Sequence, residues 1–211
     1  MTHSDDNGLV CPPQLAPVQV AIVPIWKSEE ERGQVSGVGG QVKAELEQAG
    51  IRVELDLRDN LKPGAKYFEW EAKGVPLRLE IGPRDVAAGQ VMTARRTGGK
   101  APARLDGLAR TVGGALDEIQ ASLFKAAKDR REVRSIRGVT KPQFIEFMKQ
   151  SGGFAYGGFC GSAACEAEIK QATAATVRVL PDPEFRSPET PKTCMWCDKP
   201  SVAEAVWAQA Y

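Results

Sequence analysis

The chain has 211 residues, 42% of them hydrophobic and 26% charged, and a net charge of +1. These values describe folded material of one or two domains and exclude a chain disordered throughout. No stretch nears the roughly 18 uninterrupted apolar residues of a membrane helix. The polar start MTHSDDNGLV lacks the apolar segment of a secretory signal. A cytoplasmic protein with no membrane partner is therefore expected. The one histidine is His3, which excludes a His-rich metal site, and no catalytic residue is assigned.

Residues 1–17 end in Pro12, Pro13 and Pro17 and read as an extended lead-in. Val18–Ile25 is a β-branched run suited to a buried parallel strand. Ser28 before three glutamates marks a helix start, and Gly50 its end. Gly33, Gly37, Gly39 and Gly40 weaken that helix. Ile51, Val53, Leu55 and Leu57 alternate as a second strand. Residues 58–64 form a turn and 65–73 a short helix. Leu77–Ile81 and Gln90–Arg95 are strands, with a flexible turn over 97–102. Apolar positions from Leu108 to Phe124 make a long amphipathic helix. The order β-α-β-α-β-β-α predicts an α/β fold with a mixed sheet. A domain boundary is expected near 120–135, after which Thr140–Gln150 is a helix with Phe144, Phe147 and Met148 on one face.

Charge is uneven. Residues 58–104 carry ten basic and five acidic side chains, and residues 124–149 carry eight basic and three acidic. Two basic stretches on a nearly neutral chain suit a phosphate-binding face or a solvated surface. The cysteines are more specific. Cys160 and Cys165 form one close pair, and Cys194 and Cys197 form C-x-x-C. Two such knuckles can surround a tetrahedral zinc ion, and a closed four-thiolate shell is structural. Two disulfides or four buried thiols are the alternatives, the disulfides being disfavoured in the cytosol. Glycines 157, 158 and 161 let the backbone turn close to the metal. Cys11 has no partner at ligand spacing and reads as a small buried or half-exposed thiol.

The segment KPGAKYFEWEAKGVPLRLEIGPRD (62–85) is similar to the anticodon-binding domain of archaeal- and eukaryotic-type prolyl-tRNA synthetases. LAPVQVAIVPI (15–25) resembles that domain's opening strand. MTHSDDNGLVCPP (1–13) resembles the tail of class II motif 3. C-x4-C followed by C-x2-C resembles the family's C-terminal zinc domain, and Tyr211 resembles its terminal tyrosine.

The resemblance implies three parts. Residues 1–17 are the tail of a class II catalytic domain. Residues 18–125 are an anticodon-binding domain, with helices packed on a mixed five-stranded sheet. Residues 126–211 are a small α+β zinc domain. It implies binding of tRNA(Pro) and no DNA, in support of ATP-dependent attachment of proline. ATP is expected only through a catalytic domain supplied in cis or in trans, and the full-length enzyme is expected to be a homodimer. The alternatives are a free-standing RNA-binding module and a zinc-stabilised interaction protein.

The resemblance also implies reading of guanines in the anticodon. Lys66, Glu69 and Lys73 share one helical face by spacing, and Arg78 follows on the next strand. Glu69 is the expected base reader, with a surface salt bridge to Lys66 or Lys73 as its plainer role. Arg58, Arg84, Arg95 and Arg96 are candidates for phosphate contacts. Tyr67, Phe68 and Trp70 could stack on bases or fill the core, and the core is the favoured place for Phe68 and Trp70. Trp207 and Tyr211 are expected on a surface facing the catalytic domain or in a closing element of the zinc domain.

Overall fold

The computed structural model describes residues 3–150, 152–189 and 191–209. The chain divides into two compact units, Met1–Lys125 and Ala126–Tyr211. Met1, Tyr211 and the other residues outside those ranges carry no structural statement.

The first unit opens on a hairpin where an extended lead-in was expected. Strands β1 (Ser4–Asp5) and β2 (Gly8–Leu9) pair antiparallel. The Asp5 carboxylate accepts from the Asn7 N–H at 2.9 Å, which sets the turn. Gly8 has φ +124°, and a Cβ there would stand 2.6 Å from the Ala72 carbonyl oxygen. Gly74, with φ +75°, meets Leu9 as closely. Two glycines thus let the hairpin lie directly on backbone, a contact invisible to periodicity.

β3 (Val20–Pro24) is buried throughout and pairs in parallel with β4 (Val53–Leu55) and β5 (Leu77–Ile81). β6 (Gln90–Arg95) and β7 (Lys100–Arg104) extend the sheet antiparallel, giving the order β4-β3-β5-β6-β7. β7 replaces the second half of the expected flexible turn. Gly98 and Gly99 at φ +100° and +97° make the reversal, and an edge strand accommodates Pro102.

Helix α1 (Glu29–Gln48) starts where Ser28 accepts from the Glu31 N–H. Its glycines divide by role: a Cβ at Gly33, Gly37 or Gly40 would meet nothing, whereas one at Gly39 would stand 3.0 Å from Leu55 Cδ1. Gly39 therefore brings α1 close to β4. Helix α2 (Pro63–Ala72) begins on proline, and the short α3 (Pro83–Ala87) follows Gly82, whose N–H the Asp85 carboxylate accepts. Helix α4 runs from Leu108 to Val133, beyond the apolar pattern that ends at Phe124. Val35, Leu46, Ile22, Leu79, Val112 and Ile119 lie in the core between the sheet, α1 and α4.

The second unit is a four-stranded sheet of order β10-β11-β9-β8. Its strands are β8 (Ser135–Arg137), β9 (Phe154–Phe159), β10 (Ala175–Val179) and β11 (Ala203–Gln209). Helices α5 (Lys141–Gln150) and α6 (Ala163–Thr173) bury Phe144, Met148 and Ile169 against Ala155, Ala205 and Trp207. Trp207 is fully enclosed, its ring edge-on to Phe144 and Phe159. It is core, within the closing strand of the unit, the second of its two expected places, and not on an exposed surface.

Candidate nucleic-acid interface and metal centre

β4 stops at Leu55, and the alternation of residues 51–57 stops with it. Asp56 turns inward to 4% exposure while Leu57 stands 42% exposed. The buried carboxylate collects the Arg58 backbone N–H at 3.2 Å and three side-chain donors. Arg58 gives two hydrogen bonds of 2.9 and 2.7 Å, and the Trp70 indole N–H gives one of 2.9 Å. Burial pushes the Asp56 carboxyl up, but these donors prevail and hold it far below the usual carboxylate range. Lys66, expected on the exposed face of α2, is itself buried. Its Nζ donates to the Asp56 carbonyl at 3.1 Å and lies 3.6 Å from the carboxylate. It also sits 5.0 Å above the Trp26 ring. Burial lowers its pKa against the pull of Asp56. Lys66 therefore builds the site from beneath. Asp56 was missed because the strand pattern assigned it to solvent.

Glu69 stays at the surface, two-thirds covered. One carboxylate oxygen accepts from Lys73 at 2.7 Å and the other from Arg58 at 2.8 Å. Lys73, then Arg58, lowers its pKa. Lys73 also lies 4.6 Å above the Trp70 ring. Trp70 is buried as expected, but Phe68 is 75% exposed, contrary to its expected place in the core. With Tyr67 and Trp70 turned to the sheet, Phe68 falls on the outer side of α2.

Arg78 on β5 stacks 4.2 Å above Tyr67 and pairs with Glu80 at 3.1 Å, and Lys100 pairs with the other Glu80 oxygen at 2.6 Å. The four expected phosphate contacts separate. Arg84 is exposed. Arg95 is partly exposed and pairs with Glu118 at 2.6 Å. Arg58 is committed to Asp56 and Glu69. Arg96 is enclosed, with its side chain 3% exposed. Its fork grips Asp5, and its Nε donates to the Glu71 carbonyl at 2.9 Å. Arg96 thus fastens the hairpin and is no surface cation, which corrects its expected role.

In the second unit the four cysteines Cys160, Cys165, Cys194 and Cys197 converge, all Sγ atoms within 4.8 Å of one another. The pairs Cys165–Cys194 and Cys160–Cys197 stand at 3.7 Å. An ion about 2.3 Å from each of four tetrahedral sulfurs sets their separations near 3.8 Å, so the cluster fits a metal. All are free thiols, which removes the disulfide alternative here. Burial raises the Cys165 thiol. For Cys194 burial is outweighed by the backbone N–H groups of Trp196, Cys197 and Cys160, which bring it down to about 7.

The knuckles form for local reasons. Gly161 takes φ +74° after Cys160. The Cys194 N–H donates to the Lys199 carbonyl, and Asp198 N–H to the Cys194 carbonyl. A Cβ on Gly158 would strike the Thr193 carbonyl, and one on Gly157 the Met195 sulfur. These two glycines seat the Cys194 knuckle on β9. Cys11 is half-buried, with its Sγ 3.7 Å from the Lys73 carbonyl.

Comparison with known proteins matches residues 19–112 to an anticodon binding domain and residues 142–211 to the C-terminal domain of prolyl-tRNA synthetase. A proline--tRNA ligase of Christiangramia forsetii is 41% identical over the whole of this chain. That of Parabacteroides distasonis is 42% identical over the same span. The chain belongs to the prolyl-tRNA synthetase family. It corresponds to the C-terminal part of those enzymes and spans 42% of the length of each of these two relatives. The chloroplastic/mitochondrial ligase of Arabidopsis thaliana is 39% identical over the whole chain. The family match takes in both the α2 network and the cysteine cluster. Among the described residues no helix is long and apolar enough to cross a membrane.

Proposed function

We propose that this chain binds tRNA(Pro) by its anticodon, in support of ATP-dependent attachment of proline to that tRNA. The observation that carries the reading is Glu69. Inside the matched anticodon domain, its carboxylate is held between two cations at the surface of α2. Single-stranded loop bases are read on their Watson–Crick edges. A guanine offers N1–H and N2–H donors, and a carboxylate accepts both. When Glu69 takes a base, Arg58 is left beside the RNA backbone. Arg78 and Lys73 supply donors for guanine O6 and N7, and Arg84 and Arg95 supply phosphate contacts that position without specifying.

The test is Glu69→Ala in a binding assay with tRNA(Pro) and a tRNA of unrelated anticodon. Discrimination between them should fall by about tenfold or more, as one good base contact is worth about 1–3 kcal/mol. A variant that discriminates as the parent does removes Glu69 from the reading.

Zinc is the metal proposed for Cys160, Cys165, Cys194 and Cys197. Four thiolates leave no open position on the ion, so it would cross-link the two knuckles and supply folding energy. Residues 1–17 are proposed as the tail of a class II catalytic domain, which would activate proline with ATP from the same or a separate chain. A homodimeric full-length enzyme and a cytoplasmic location complete the reading.

A further inference from the structure

The sheet of the second unit has two faces of different fate. Ala155, Ala205 and Trp207 point to the helices. Tyr156 and Val206, register partners on β9 and β11, therefore point the other way. There they floor a cleft of about 360 Å³, walled by Phe154, Phe185, Arg131, Arg178 and one carboxylate, Asp182. The rim is apolar and open: Phe154 is 37% and Phe185 50% exposed. The Arg131 Nε is shut off from solvent and has no hydrogen-bond partner, while its Nη2 pairs with Glu132 at 2.5 Å. Arg137 already stacks 3.8 Å above the Tyr156 ring, so the same face holds a planar cation on an aromatic. Residues 124–149, which supply Arg131 and Arg137, are strongly basic.

Aromatic surface beside guanidinium groups in a space of this size fits a flat, anionic ligand. We propose that the cleft takes one unpaired nucleotide of the bound RNA. The base lies against Phe154 and Phe185, and the phosphate meets Arg131 and Arg178. The inference rests on the reading of this chain as a tRNA binder, but it uses no residue of the anticodon domain. It gives the second unit a contact with RNA that is indifferent to the anticodon, because stacking accepts any base.

The test uses the full chain and two fluorescent transcripts, tRNA(Pro) and the same tRNA with its anticodon guanines replaced. Phe185→Ala and Arg131→Gln each weaken binding of both transcripts by about tenfold, the lower part of the range for one stacked base. Phe185→Trp keeps a stacking ring and keeps the parent affinity. Phe185 is half exposed and the Arg131 side chain partly so, and thermal melts matching the parent confirm folding. Parent-like affinity in Phe185→Ala and Arg131→Gln overturns the proposal and gives the cleft to a protein surface. A Phe185→Trp loss as large as alanine's overturns the stacking. A parent that binds both transcripts equally, with cleft variants still weakened, sinks the anticodon reading and leaves the cleft standing. A parent that binds neither transcript overturns both.

Discussion

Asp56 is the residue on which the α2 region turns. Its removal leaves Lys66 buried without a counter-charge, a loss of about 3–5 kcal/mol for a broken buried pair. Asp56→Ala should lower the denaturant midpoint accordingly, while Glu69→Ala, at the surface, should cost well under that. Asp5 makes a pH prediction. The Arg96 hydrogen bonds bring its carboxyl down to about 2 from an ordinary 3.8. A depressed carboxyl stabilises the fold above its unfolded value and loses that effect as pH falls through the folded one. The hairpin should therefore detach between about pH 4 and 2, seen in the amide shifts of Gly8 and Val10. Asp5→Asn should show no such transition. At this scale the sequence disclosed the cysteines, whose chemistry is carried by residue type and spacing, and the salt bridge of Glu69 to Lys73. It concealed Asp56, Lys66 and Arg96, because burial of a charge depends on a partner far along the chain.

Among the elements, β3, β5, β6, α1 and α4 were legible from periodicity and caps. The hairpin β1-β2 and the edge strand β7 were not. Each is short, and each depends on glycine contacts or on pairing with a neighbour that its own pattern does not reveal. The Cys194 knuckle is the element most sensitive to one added carbon. Gly158→Ala would force its Cβ into the Thr193 carbonyl. A destabilisation of about 1–3 kcal/mol is expected for such overpacking, with weaker metal retention measured by chelator competition. Gly33→Ala on the open side of α1 should instead stabilise by about 0.4–1 kcal/mol.

For the whole molecule, the two units carry separate cores, and the cysteine cluster lies in the second alone. Purified protein should hold about one zinc per chain. Stripping it should lower the melting transition of the second unit and leave that of the first unchanged, resolved by calorimetry with and without chelator. A metal-free protein with both transitions intact would remove the structural role of the ion. The cysteine cluster was anticipated by the spacing of its two pairs. The cleft on the second sheet was not, since nothing in a strand's alternation tells which face a later loop will leave open.

Glu69 sits between Lys73 and Arg58 before any RNA arrives. Its rotamer freedom is surrendered on folding, so on the proposed reading a base that displaces one cation would meet an acceptor already aimed. The proposed contact would then be an exchange of partners in place of a capture. Discrimination would depend on how well a base replaces an ammonium group, and a pyrimidine lacking the paired donors would leave the original bridge closed.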